Sequence, residues 1–469
     1  MSSYPHNRLY DPLRYDVQNY AFADLGSYAR LGPKNGIAAS DAQWQHATQV
    51  IPGGTQTLSK GPSCFVEGVS PKFLQRGKGG RVWDVDGNEY IDFVLACFPL
   101  TLGYGHPVVD AAIKAQLEDG ITFSMMHPLE AEVADRVIDA IPGAEMVRFS
   151  KNGSDVTAMA VRLARHLTGR ERVACLGYHG FQDWYISTTD RSFGIPQAVK
   201  DLTSTFRYND IESLHALFAK HPGEIACVIM EPVLFEAPQD GFLEKVKELA
   251  HANGALLIFD EMLTGFRFGR GGAQEFFGVI PDLATFGKGM ANGMPIGALT
   301  GLARYMQAFE QVFFSSTYGG EALTLAAAKA VLDFYKENDV AAHLWRNGSI
   351  IFDNFRNQIE RKGLQDHVSM TGFPVRNQLV FKDKNGEPNY LMNALFQQEM
   401  TRRGIICYAT IGVCWAHAED DLVYTAKAFG EMLDVMADGL SDNDFARLLQ
   451  GKPSAPVFKA LRDQRQTAN

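Results

Sequence analysis

From about residue 106 to 305, short apolar runs alternate with stretches whose apolar residues recur every three or four positions. MVRFS, VACLG, ACVIM, ALLIFD, LATFG and IGALTG are each bounded by turn-forming residues and read as buried strands. Between the first two, Val156, Met159, Ala160, Leu163, Ala164 and Leu167 fall on one face of a helix. FLEKVKELAHANG repeats that pattern between ACVIM and ALLIFD and stops at Asn253-Gly254. Strands alternating with helices predict an α/β fold with a mostly parallel sheet covered on both faces. Ligands of such sheets bind at the carboxyl ends of the strands.

The flanks read differently. In RVWDVDGNEYIDFV the apolar residues Val82, Val85, Tyr90, Ile91 and Phe93 surround Asp86-Gly87, which predicts a hairpin with a type I′ turn. Asp84, Asp86, Asn88 and Glu89 crowd the same turn, but the spacing of a calcium loop is missing. From about residue 340, longer amphipathic helices and the strand-like VSMTGFPVRNQLVFKD and GIICYATI predict a second, smaller α+β unit. The expected divisions are an extension over 1–48, the N-terminal part of a small domain over 49–105 and a large domain over 106–340. The rest of the small domain is expected over 341–440, and a polar, partly helical tail over 441–469.

Composition narrows the function. Over 469 residues, 46% are hydrophobic and 21% charged, a globular balance that argues against disorder and against a coiled coil. Lys and Arg number 44 against 54 Asp and Glu, a net charge of −10 that disfavours nucleic acid as a partner. Cys64, Cys97, Cys175, Cys227, Cys407 and Cys414 are scattered without metal-ligand spacing, so no metal is expected and the thiols read as reduced. The first residues lack the apolar core of a secretion signal, and no apolar run approaches the ~20 residues that span a bilayer. A soluble, cytoplasmic protein without membrane partners is expected.

The carboxyl ends of the strands carry the candidate chemistry. Asn152-Gly153-Ser154 follows the first strand and opens a helix, where free N–H groups can hold an anion or simply be capped. Tyr178-His179-Gly180 follows VACLG, and Tyr178 offers a flat ring for stacking. Glu231-Pro232 follows ACVIM. Asp260 ends a run of five apolar residues, where a carboxylate needs a cation or hydrogen bonds; an ion pair and a functional group both fit. Lys288 lies between Gly287 and Gly289, in a segment that is neither a Walker A loop nor a dinucleotide fingerprint. Taken together, an anion nest, a stacking aromatic, a carboxylate and a lysine match the four needs of pyridoxal phosphate. The lysine binds the aldehyde and carries the proton, and the carboxylate keeps the ring nitrogen protonated.

These residues sit in familiar surroundings. IPGGTQTLSK, GRVWDVDGNEYIDF, LGYGHP, FSKNGSDVTAMAVRLARHLTGR, GYHG, TFRYND, MEPV, IFDEMLTGFR, FGKGMANGMPIGA, STYGG and WAHAEDDL run collinearly over roughly 49–437. The chain resembles class III pyridoxal-phosphate aminotransferases of fold type I, in particular the glutamate-1-semialdehyde 2,1-aminomutase-like branch. The resemblance implies a large domain with a seven-stranded, mostly parallel sheet sandwiched by helices, and a smaller α+β domain from both chain ends. It implies Lys288 as the Schiff-base lysine, Asp260 on the ring nitrogen, and Tyr178 with His179 in the ring-stacking motif. By the same resemblance Gly153 and Ser154 bind the phosphate, Met262 lies against the ring face opposite Tyr178, and Glu231 is an active-site glutamate. Thr317 of STYGG would reach the phosphate from the other subunit of a homodimer.

Three departures qualify the resemblance. Lys60, six residues after Gly54, stands where the aminomutase carries the arginine that holds the substrate carboxylate, and lysine lacks the bidentate fork. Glu236, five residues after Glu231, matches the gating glutamate of ω-aminotransferases, but the arginine it would gate is not evident. The long N-terminal extension is foreign to the family core. Lys60, Glu236 and Arg267 are the candidate substrate-binding residues. The expected reaction moves an amine from a donor, L-glutamate by family habit, to a polar keto or aldehyde acceptor such as a sugar derivative. An aminomutase that shifts the amine within one molecule is the alternative.

Overall fold

A computed structural model describes residues 11–455. The described residues divide into two compact units: one takes 11–106 and 342–455, the other Pro107–Ala341.

In the first unit, helix α1 (Ala38–Val50) precedes strands β1 (Leu74–Lys78), β2 (Arg81–Asp84) and β3 (Glu89–Asp92). The strands form an antiparallel sheet that Ile405–Ile406 joins in parallel beside β3. GIICYATI thus yields a strand of two residues. VSMTGFPVRNQLVFKD folds as a separate hairpin, Val368–Phe373 against Arg376–Phe381.

The β2–β3 turn is not type I′, because only Gly87 takes a positive φ (83°) and Asp86 does not. Asp84 explains the difference: its buried carboxylate accepts from the Asp86 and Asn88 amides at 3.0 and 2.8 Å and holds a wider loop. Asp86 in turn accepts from Ala39 N and Ser40 N at 2.7 and 3.0 Å, capping α1. The acidic turn therefore serves the backbone rather than a cation.

Residues 11–48 pack into this unit. Tyr15, Tyr20 and Tyr28 donate their hydroxyls to Glu419, Asp420 and Asp421 at 3.0, 2.7 and 2.8 Å. Those acids open helix Glu419–Asp442, where negative charge also suits the helix dipole. The C-terminal tail shows one short turn, Ala446–Leu448, and residues 456–469 lie outside those described.

The second unit opens with helices α2 (Pro107–Asp119) and α3 (Leu129–Ala140). Its sheet comprises β4 (Met146–Ser150), β5 (Arg172–Leu176), β6 (Thr203–Thr205), β7 (Ile225–Met230), β8 (Leu256–Asp260), β9 (Leu283–Gly287) and β10 (Gly297–Gly301). The seven strands run in the order β4-β10-β9-β8-β7-β5-β6, and β10 alone runs against the direction of the other six. Six of these strands coincide with apolar runs in the sequence. The seventh, β6, is three polar residues at an edge, with no hydrophobic pattern to reveal it.

Helix α4 (Gly153–Thr168) buries Val156, Met159, Ala160, Leu163 and Ala164 against one face of the sheet. Helix Phe242–Ala252 covers the other face with Phe242, Leu243, Val246 and Ala250. At ~25 cal/mol per Å², burial on both faces is what makes all-apolar strands such as β7 affordable.

Candidate active site

The carboxyl ends of β4, β5, β7, β8 and β9 gather the candidate residues of this unit. At β4, Asn152 caps α4 by accepting from Asp155 N at 3.0 Å, so Gly153 and Ser154 supply first-turn amides that the helix itself leaves without acceptors. Ser154 Oγ accepts from Phe181 N at 3.1 Å, which joins the helix start to the turn after β5. Gly180 (φ 102°) packs so closely there that a Cβ would fall 2.1 Å from Ser154 Oγ. Met262 follows β8 and lies between two glycines: a Cβ on Gly153 or on Gly287 would come 2.9 or 2.8 Å from its sulfur. Glycine at 153 and 287 is therefore the condition for Met262 to sit between the helix start and the lysine segment.

The best-defined pair is Asp260 with His179. Asp260, at the end of β8, is 2% exposed, and its Oδ2 lies 2.8 Å from His179 Nδ1. The other carboxylate oxygen accepts from Met262 N at 3.1 Å and from Thr285 Oγ1 at 3.2 Å. His179 Nε2 lies 3.0 Å from the Leu176 carbonyl oxygen. Both ring nitrogens thus face acceptors, and Thr157 Oγ1 donates to the His179 carbonyl at 2.8 Å to hold the loop.

Glu231, after β7, is buried, and Oε1 accepts from Tyr178 N at 2.9 Å. Its side chain fills the space a Cβ on Gly177 would need. Here it positions the turn that carries Tyr178, whose ring is half exposed and meets Tyr185 edge-on at 5.6 Å. Lys288 follows β9 with φ 39°, a strained value for a residue with a Cβ and one that recurs at functional sites. Its neighbours Gly287 and Gly289 are buried while Lys288 itself is only partly so.

Arg267 is 3% exposed, within the turn after β8, and Glu236 and Thr317 are exposed. Lys60 belongs to the first unit, where it lines a cavity with Phe65 and Tyr408. A cavity of about 1280 Å³ along β6 touches Gly177 but neither Lys288 nor Asp260, so the strand ends rather than cavity size locate the site.

Two further residues are given no role by the sequence. Thr285 is a polar position within LATFG, two residues before Gly287 on the same strand, and that spacing was a usable signal. Glu261 is fully buried beside Asp260 and accepts from Ala273 N and Gln274 N at 2.9 and 2.7 Å and from the Thr264 hydroxyl. Burial pushes its carboxyl up to about 7. It ties the two ends of the 262–272 loop together.

This sheet, with a lysine, a hydrogen-bonded aspartate and a helix start at its strand ends, defines a pyridoxal-phosphate enzyme of fold type I. The chain belongs to the class III aminotransferases, whose family model matches residues 66–411. It is 35% identical to a 3-aminobutyryl-CoA aminotransferase of Cloacimonas acidaminovorans, over 86% of this chain and 98% of the relative. A glutamate-1-semialdehyde 2,1-aminomutase of Sulfurihydrogenibium azorense is 36% identical over 79% and 93% of the two chains. Among solved structures, the FumI protein of Sphingopyxis sp. MTA144, with pyridoxal phosphate, superposes with a TM-score of 0.81 at 28% identity, covering 89% of this chain and 99% of that one. The residues in place fit the cofactor: glycines close-packed at the start of α4, a buried carboxylate with one histidine partner, and a lysine between glycines.

Proposed function

We propose that this aminotransferase moves an amino group between two separate molecules, from L-glutamate to a polar keto or aldehyde acceptor such as a sugar or another biosynthetic intermediate. Pyridoxal phosphate supplies the aldehyde that takes up the amine and the ring that stores the electron pair of the broken C–H bond. Lys288 holds the cofactor and carries the proton between carbon atoms. Asp260 keeps a proton on the ring nitrogen, and Tyr178 and Met262 flank the ring. Gly153 and Ser154 hold the phosphate, with Thr317 from a second subunit. Lys60, Glu236 and Arg267 are the residues assigned to substrate.

The observation that carries this reading is Asp260, buried and oriented by His179, Thr285 and the Met262 amide at the tip of the sheet that also presents Lys288. Transfer between molecules is favoured over the mutase by Lys60, which stands where the mutase carries its carboxylate-binding arginine. A homodimer is supported by the exposed Ile121, Phe123, Met125, Met126, Phe313 and Tyr318, large apolar side chains that a second copy could cover. A cytoplasmic setting is supported by six free cysteines and, among the described residues, by no helix long and apolar enough to cross a membrane.

The test is a single half-reaction. Holoenzyme mixed with L-glutamate and no acceptor should release one 2-oxoglutarate per site and lose its yellow absorbance, and Lys288→Ala should do neither at a comparable rate. Wild type that releases no 2-oxoglutarate yet turns over a semialdehyde repeatedly without donor would identify the mutase instead.

A further inference from the structure

Ser70, in the first unit, is 4% exposed, and its hydroxyl has no hydrogen-bond partner among the described residues. Such a group costs stability unless something fills its bond. It lines a cavity of about 320 Å³ whose walls include Phe65, Phe73, Val94, Ile406 and Tyr408, with Phe65 and Tyr408 stacked at 5.3 Å. An apolar cavity of about 150 Å³ already admits benzene.

One wall is held in an uncommon conformation. Leu95, Ala96, Cys97 and Phe98 take φ values of 48°, 56°, 73° and 76°, four consecutive left-handed residues and none of them glycine. At ~1–2 kcal/mol per residue this turn needs external support. The Asp92 carboxylate gives it, accepting from Val94 N at 2.8 Å, Leu95 N at 3.2 Å and the Tyr104 hydroxyl at 2.6 Å. Strain of this kind gathers at ligand clamps and switch segments, and Val94 and Ala96 of this stretch face the cavity that Ser70 lines.

We propose that this cavity is a binding site for a small uncharged aromatic or branched molecule carrying one acceptor oxygen for Ser70 Oγ. The surroundings disfavour an anion. Asp92 lines the same cavity, and burial holds its carboxyl above the usual range. Lys72 is already paired with Asp41. Lys60 is exposed and screened by water. The cavity shares Lys60 with the residues assigned above to substrate, but the proposal rests on Ser70 and the apolar wall of the first unit and does not need that assignment.

Fluorine NMR titration of the holoenzyme with methyl 4-fluorobenzoate, 4-fluorotoluene and 4-fluorobenzoate tests it. The ester should saturate one site per chain, about fivefold tighter than the toluene and tighter than the carboxylate. Ser70→Ala should erase the ester's advantage over the toluene while raising the Tm of the unliganded protein by about 1–2 °C, because the unpartnered hydroxyl is gone. Leu74→Trp, at an exposed point of the wall, should weaken all three probes and serves if Ser70→Ala does not fold. Lys288→Ala should leave the ester titration unchanged. Equal affinity for ester and toluene in wild type overturns the proposal. So does a Ser70→Ala protein that keeps the preference or melts lower, or an ester titration that disappears with Lys288.

Discussion

Two buried histidines, one in each unit, solve opposite problems. His417 lies in the first unit at 3% exposure, stacked on Phe93 at 4.6 Å. Its Nδ1 accepts from Cys414 N at 3.1 Å, and its Nε2 faces the Asp92 carbonyl oxygen at 3.1 Å. One donor and one acceptor are what a neutral ring with its proton on Nε2 satisfies. His179, at 1% exposure, faces two acceptors, the Leu176 carbonyl and the Asp260 carboxylate. Filling both bonds takes one proton more than a neutral ring beside an ionised carboxylate supplies. Equal burial therefore gives an inert packing element in one place and a polarised pair in the other. The partner set makes the difference, and only the polarised pair is suited to holding charge on a cofactor ring.

If this contrast is right, damage at the His179 end should fall on turnover and damage at the His417 end on folding. Asp260→Asn should have the largest effect, lowering kcat/KM about 100- to 1000-fold with a correctly folded protein. Activity within threefold of wild type would remove Asp260 from the chemistry. At the other end, burial holds the His417 ring down to about 4. A base whose folded pKa is depressed contributes stability above its ordinary value of 6.5, and that stability is lost as pH falls from about 6.5 towards 4. The loss should reach at most about 3 kcal/mol. Asp92, its carboxyl held up by burial, works in the opposite direction at the acid end. His417→Gln keeps an acceptor and a donor, so the difference between wild type and variant in denaturant titrations isolates the histidine. The variant should be less acid-labile, with kcat near wild type.

How much of this was legible in the sequence follows from the range of the interactions. The sheet was readable because burial on both faces forces near-continuous apolar runs, and Asp260 stood out as a carboxylate that ends one of them. The His179–Asp260 contact joins residues 81 apart, and no local pattern records it. Neither does one record the tyrosines of 15–28 reaching the acids of 419–421. The left-handed turn at Leu95–Phe98 was hidden for a second reason. Sequence reading locates positive φ by glycine, and here carboxylate hydrogen bonds hold ordinary residues in it instead. The β2–β3 turn failed likewise, since Asp84 rather than the Asp-Gly pair dictates its loop.

A smaller and more discriminating effect is expected at His179 itself. His179→Gln keeps a donor for one acceptor but cannot share a proton with Asp260. Residues that orient a catalytic group in this way typically contribute about 10-fold, by analogy with the partners of metal ligands. Turnover should fall by about that factor and the pH dependence of kcat should shift, while Tm changes little. A variant that melts much lower but retains the wild-type pH profile would make His179 a packing residue like His417, and the contrast would dissolve.

The finest probe of the comparison is Thr285→Val, which is nearly isosteric and deletes one donor to Asp260 at 3.2 Å. Because His179 and the Met262 amide still hold the carboxylate, the loss should be about threefold in kcat/KM, the size of one ordinary hydrogen bond. The informative measurement is the double variant. If the hydroxyl acts through the carboxylate, Thr285→Val should change nothing further in an Asp260→Asn background, a coupling equal to the single effect. If instead the threefold loss persists there, the hydroxyl acts on packing of the strand, and the network around Asp260 is narrower than the geometry implies.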